Sequence, residues 1–176
     1  MIPPQRNIFL TGFMGAGKST VGRRLAQRLD YRFADLDQLI VAREGRSITE
    51  IFAIRGEGYF RDCEAAVLAG QAETTRTVFA TGGGIVAREE NRAVMKQFGT
   101  VVYLRASWPI LERRLARSSG RPLGDPQLGW EKIHQLWQSR LPWYEEADLV
   151  IDTDHLPVPE VVRAIITRLE LKECAR

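Results

Sequence analysis

Residues Gly12-Phe13-Met14-Gly15-Ala16-Gly17-Lys18-Ser19-Thr20 follow the apolar run Ile8-Phe9-Leu10 and precede Val21, Leu25 and Leu29 at helical spacing. The stretch spells GxxxxGK[ST], a phosphate loop. Few local patterns restrict a fold so strongly: the chain must leave a buried strand, turn with its backbone N–H groups pointing inward, and enter a helix at once. Gly12 and Gly17 permit backbone angles and close ligand approach that a Cβ would obstruct. Lys18 brings a mobile positive charge, Ser19 a hydroxyl suited to Mg²⁺, and Thr20 a second hydroxyl. Phosphates held there face the positive end of a helix. Gly15, Ala16, Gly17, Lys18, Ser19 and Thr20 are therefore the expected nucleotide-binding set.

Five short apolar runs read as buried strands: Ile8 to Leu10, Arg32 to Ala34, Val78 to Ala80, Val101 to Leu104, and Leu149 to Ile151. Helical patterns lie between them. This alternation predicts an α/β fold, a five-stranded parallel sheet flanked by helices, with ligands collecting at the carboxyl ends of the strands. Asp35 and Asp37 follow strand two and Gly82-Gly83-Gly84 follows strand three, so both groups share an edge with the phosphate loop. Ser47-Ile48-Thr49-Glu50 has capping-box form, and Ser107-Trp108-Pro109 starts another helix. Residues of about 118–129, rich in glycine and proline, read as a long functional loop, a lid. A helix resumes at Trp130, interrupted at Pro142, and a last amphipathic helix runs from Val161 to Leu171.

With 176 residues, the chain has the size of one ordinary domain, 1–176. Lys plus Arg number 25 against 22 Asp plus Glu, too small an excess to demand nucleic acid. Cys63, Cys174, His134 and His155 make no metal-binding spacing. The N-terminus has no apolar signal core and no run reaches membrane-span length, which points to a cytoplasmic protein without a membrane partner. A monomer is the expectation.

The remaining motifs must choose among phosphate-loop classes. A switch GTPase would carry [NT]KxD, which the chain lacks. Leu149-Val150-Ile151-Asp152 resembles the acidic strand end of a motor ATPase but falls late, and capping of the final helix explains Asp152 as economically. Asp35 is the better candidate for the magnesium shell, through water, because Mg²⁺ dehydrates reluctantly. Taken singly, Arg61 and Glu64 read as a surface ion pair, Arg140 as a helix-surface charge, and Asp35 with Asp37 as a solvated turn. Three consecutive glycines are entropically costly and favour a ligand-facing role.

Together, GFMGAGKST, Phe33-Ala34-Asp35-Leu36-Asp37, Phe60-Arg61, Gly82-Gly83-Gly84, Arg121-Pro122-Leu123 and Arg140-Leu141-Pro142-Trp143-Tyr144 closely resemble the shikimate kinase family, in order and in spacing, over essentially the whole chain. The resemblance implies a P-loop fold like that of nucleoside-monophosphate kinases, with a mobile lid and a substrate-binding region at about 35–64. It implies MgATP-dependent phosphorylation of the 3-hydroxyl of shikimate, on the route to chorismate and the aromatic amino acids. Arg61 and Arg140 would clamp the substrate carboxylate, with Glu64 orienting Arg61. Asp37 would bind ring hydroxyls and orient the nucleophile, Gly83 would offer its N–H, and Gly82 and Gly84 would let the loop approach the substrate. Lys18 and Arg121 would stabilise the transferring phosphoryl group. Ser19 would ligate Mg²⁺ directly. Arg114, or its neighbour Arg113, would stack on adenine opposite a loop from Asp152 to Pro159. Gly124 stands where the family often has leucine. A gluconate-type or nucleoside-monophosphate kinase, and a binding protein without catalysis, are the alternatives.

Overall fold

The computed structural model describes residues 6–117 and 129–171. Five parallel strands, β1 (Asn7–Thr11), β2 (Arg32–Asp35), β3 (Thr77–Ala80), β4 (Gly99–Arg105) and β5 (Leu149–Asp152), lie in the order β2-β3-β1-β4-β5. β1 is central and buried at every residue, which is why its apolar run is continuous rather than alternating. Leu10 stands beside Ala80 on one side and Val102 on the other. Phe9 and Phe79 stack across the β1–β3 pair with centroids 5.0 Å apart. The predicted strands all form, but β2 is an edge strand with Arg32 exposed and the rest half-buried, not a core strand.

The helices are α1 (Lys18–Leu29), α2 (Leu36–Glu44), α3 (Ile48–Ala72), α4 (Glu89–Phe98), α5 (Trp108–Leu115), α6 (Trp130–Tyr144) and α7 (Val158–Arg168), with a 3₁₀ turn at Ile85–Ala87. α1 packs on α7, and α3 packs on α4. Ser47 and Glu50 form the predicted capping box at the start of α3. At Gly56 the backbone reaches φ 80°, a left-handed value that glycine tolerates, and α3 breaks into two helical segments there.

Two local expectations change. Pro142 does not interrupt α6, which runs on to Tyr144. A proline there forfeits one helical hydrogen bond close to the end, while the buried Ile133, Arg140 and Tyr144 hold the helix down. The last helix begins at Val158, one residue after Pro157, rather than at Val161.

Candidate active site

The carboxyl ends of β1, β2 and β3 open into a cavity of about 300 Å³ lined by the phosphate loop, Asp35, Asp37, Gln38, Thr81 and Gly83. Lys18 is buried, and its Nζ donates to the carbonyls of Gly12 at 2.7 Å and Phe13 at 3.0 Å. These bonds hold the ammonium inside the loop. Ser19 Oγ donates to Asp35 Oδ2 at 2.7 Å, while Asp35 Oδ1 accepts from the N–H of Asp37 at 3.1 Å and caps α2. One carboxylate thus ties the phosphate loop to the helix that carries Asp37. The donor set suits Mg²⁺: hard oxygens, one hydroxyl beside one carboxylate, with room for water and phosphate oxygens. Among the described residues no cluster of three or more His, Cys, Asp or Glu could hold a metal ion.

Beyond Asp37 the site becomes a buried charge cluster. Arg61, on the second segment of α3, pairs with Glu64 at 2.5 Å and with Glu57 at 2.8 Å. Glu64 is 1% exposed, and its Oε1 has no hydrogen-bond partner among the described residues. Burial pushes the Glu64 carboxyl above the ordinary carboxylate range; Arg61 and Arg140 pull it down, Asp37 pushes it up, and the net shift is upward. Burial also opposes the charge on Arg61, but Glu64 and Glu57 more than offset it. An i,i+3 pair that reads as a surface bridge is therefore a buried one, with a different energetic meaning. Arg140 is likewise buried rather than on the helix surface, its guanidinium 5.8 Å from the Phe13 ring centroid.

Gly82 and Gly84 also have a steric reason within the protein itself. A Cβ on Gly82 would lie 2.5 Å from Glu64 Oε1 and 2.9 Å from Asp37 Oδ1, and one on Gly84 would strike both terminal nitrogens of Arg61. The protein's own charged groups occupy the space that the missing side chains leave. Tyr144 OH donates to Gly83 O at 2.5 Å and stacks on Tyr103, fixing the loop from α6. Burial raises the Tyr144 phenol well above its ordinary pKa, so it remains a donor. Sequence reasoning missed this role of Tyr144, as well as Thr81 and Gln38 in the phosphate cavity. Their only signals were adjacency to the triple glycine and to Asp37.

A second cavity, of about 320 Å³, opens on the other side of the phosphate loop between Arg114 and the segment holding Thr153, Leu156 and Val158. Arg114 Nη1 donates to Gly15 O at 3.0 Å. Arg113 is exposed and is not part of the cavity lining. Asp152 does not cap the final helix; Arg105 holds it through two hydrogen bonds of 2.5 and 2.8 Å, and Pro157 is the N-cap. Of the expected site residues, Arg121 and the rest of 118–128 lie outside the described residues.

A family model described as shikimate kinase matches residues 14–170. The chain belongs to the shikimate kinase family. It is an ATP-dependent small-molecule kinase, and its function is that of a shikimate kinase. A shikimate kinase from Chromobacterium violaceum is 46% identical over 167 residues, covering 93% of this chain and 89% of that one. One from Thermodesulfovibrio yellowstonii is 42% identical over 165 residues, covering 94% and 95%. The solved structure of the Acinetobacter baumannii shikimate kinase in complex with shikimate superposes with a TM-score of 0.90 at 37% identity, covering 94% of this chain and 93% of that one. Deoxyadenosine kinase from M. mycoides, 16% identical with a TM-score of 0.59 over 93% of this chain and 99% of that one, shares the fold.

Proposed function

We propose that the site transfers the γ-phosphoryl group of ATP to the 3-hydroxyl of shikimate, giving shikimate 3-phosphate and ADP. The observation that carries this reading is the buried charge cluster beside the phosphate loop. Arg61 and Arg140 bring two guanidinium groups to a buried hollow that also holds Glu64 and adjoins Asp37, with Glu57 pairing Arg61 from its more exposed side. Two guanidinium forks brought together in this way match the carboxylate of a small anionic acceptor. Asp37, which lines the phosphate cavity, faces the hydroxyls, orients the nucleophile and receives its proton. Gly83 offers its N–H to the same substrate, with Gly82 and Gly84 flanking it.

On the donor side, Gly15, Ala16, Gly17, Lys18, Ser19 and Thr20 hold the phosphates, and Arg114 stacks on the base. Ser19 would ligate Mg²⁺ directly and Asp35 through water. The ion, when bound, neutralises charge that develops between the β- and γ-phosphates. Phosphoryl transfer leaves little covalent work for the protein, so positioning and charge stabilisation carry the rate. Lys18 supplies charge from the loop, and Arg121 is assigned the same task from the 118–129 lid on the strength of the family motif. Among the described residues no helix is long and apolar enough to cross a membrane. The working form is a cytoplasmic monomer acting on two small substrates, with no nucleic-acid partner.

A coupled ADP-release assay across shikimate, gluconate, AMP and CMP tests the acceptor, with turnover expected on shikimate. Turnover on another acceptor with none on shikimate would refute the assignment. Arg140→Ala is expected to raise the KM for shikimate and to leave that for ATP unchanged; an unaltered shikimate KM would remove Arg140 from the clamp.

A further inference from the structure

The 320 Å³ cavity has two walls with no covalent connection near it. One is Arg114, near the end of α5. The other is the turn after β5, where Thr153 and Leu156 face the same space. The distance between these walls decides what fits between them, and neither wall is part of the sheet.

What joins them is a set of hydrogen bonds at the start of α5. Asp154 Oδ1 accepts from the N–H of Ser107, the N-cap of α5, at 2.8 Å. The Ser107 side chain makes no capping bond, so the carboxylate comes from outside the helix and from 47 residues further along the chain. A negative group at this end also faces the positive pole of α5. Just before it, Thr153 N and Thr153 Oγ1 both donate to Arg105 O, at 2.9 and 3.1 Å. Leu156 N in turn donates to Thr153 O at 3.4 Å. The turn after β5 is thereby laid against the turn after β4, residue beside residue. At the other end of α5, Arg114 reaches Gly15 O of the phosphate loop.

From these contacts we infer that Asp154 is a positioning residue that sets the width of the nucleobase slot, by pinning the turn after β5 to the start of the helix that carries Arg114. The inference rests on the reading that this cavity receives the base of ATP. Asp154 does not line the slot, and its carboxylate is spent on Ser107. It acts by holding Leu156 and Val158 at a fixed distance from the Arg114 guanidinium. Thr153 Oγ1 already donates to Arg105 O, and the rest of that wall is aliphatic. A slot whose walls read a base mainly by shape loses discrimination when its width is released.

Asp154→Ala and Asp154→Asn test this, since the asparagine amide oxygen can still accept from Ser107. The alanine variant is expected to raise the KM for ATP roughly five- to twentyfold, the scale of one lost charge-assisted bond and a displaced contact. Its KM for shikimate stays at the wild-type value and its preference for ATP over GTP narrows. The asparagine variant keeps its ATP KM within about twofold of wild type, because the bond survives. An unchanged ATP KM in Asp154→Ala overturns the inference, and so does a rise in both substrates' KM values together, which marks a general structural defect. Arg114→Ala separates this from the underlying reading. If Arg114→Ala raises the ATP KM and Asp154→Ala does not, only the positioning role falls. If neither changes it, the slot does not hold the base.

Discussion

Gly84→Ala probes the buried cluster through the loop that makes room for it. A Cβ at this position would lie closer to both terminal nitrogens of Arg61 than any real side-chain contact allows. To regain van der Waals distance the guanidinium must retreat by about 1 Å. It cannot do so freely, because Glu64 holds Nη1 at 2.5 Å and Glu57 holds Nη2 at 2.8 Å, with the Arg61 side chain only 12% exposed. Weakening one charge-assisted bond costs about 1.5–3 kcal/mol, and a misplacement of this size at a reacting centre can cost about a hundredfold. The expected result is a rise in the KM for shikimate of between about tenfold and a hundredfold, with the KM for ATP unchanged. Steady-state kinetics with each substrate varied in turn measures both, and thermal melting checks that the fold persists. A shikimate KM within about twofold of wild type would show that Arg61 moves aside without loss, and that its observed place is not the binding one.

Lys18→Ala removes an ammonium held on two loop carbonyls and is expected to lower kcat by about 10²–10³, the scale for one transition-state donor, as read by the ADP-release assay. Glu64→Gln tests the buried carboxyl. Its folded pKa is raised, so its contribution to stability is full below the unfolded value and is lost as pH rises through the folded one. The melting temperature of the glutamine variant minus that of wild type should therefore grow from pH 4.5 to pH 8, whereas a falling difference would contradict the direction of the shift. Ser47→Ala breaks the capping box of α3 and is expected to cost about 1 kcal/mol, or a melting-temperature drop of about 2–4 °C in a domain of this size, with both KM values intact.

The donor half was legible because its chemistry is contiguous. Gly12 to Thr20 specify strand end, turn and helix start within nine residues, and the buried strand before them admits only an apolar run. The acceptor half depends on burial, which one-dimensional spacing does not display. Glu64 three residues after Arg61 looks like a helix-surface pair until α3 is packed and Glu64 is shut away at 1% exposure. Arg140 was placed in the site by family resemblance, not by local pattern. The triple glycine was seen, but not the steric reason for Gly82 and Gly84, since Glu64, Asp37 and Arg61 fill their missing Cβ positions from elsewhere in the chain. Asp152 was misread for a related reason: its partner Arg105 lies 47 residues away. At Pro142 a sound local rule was overridden by the buried contacts of α6 and by the nearness of the helix end.

Asp35 divides its two carboxylate oxygens between the two halves of the pocket, Oδ2 on the hydroxyl of Ser19 and Oδ1 on the backbone that leads into Asp37. A ligand that draws Ser19 away alters the charge left on the group capping α2, and a movement of α2 alters what Ser19 finds opposite it. Any coupling free energy between the two substrates that runs through this group would be reciprocal: the factor by which nucleotide changed the affinity for the acceptor would be the factor by which the acceptor changed the affinity for nucleotide. One short side chain is thus the physical link between the phosphate loop and the helix that carries Asp37.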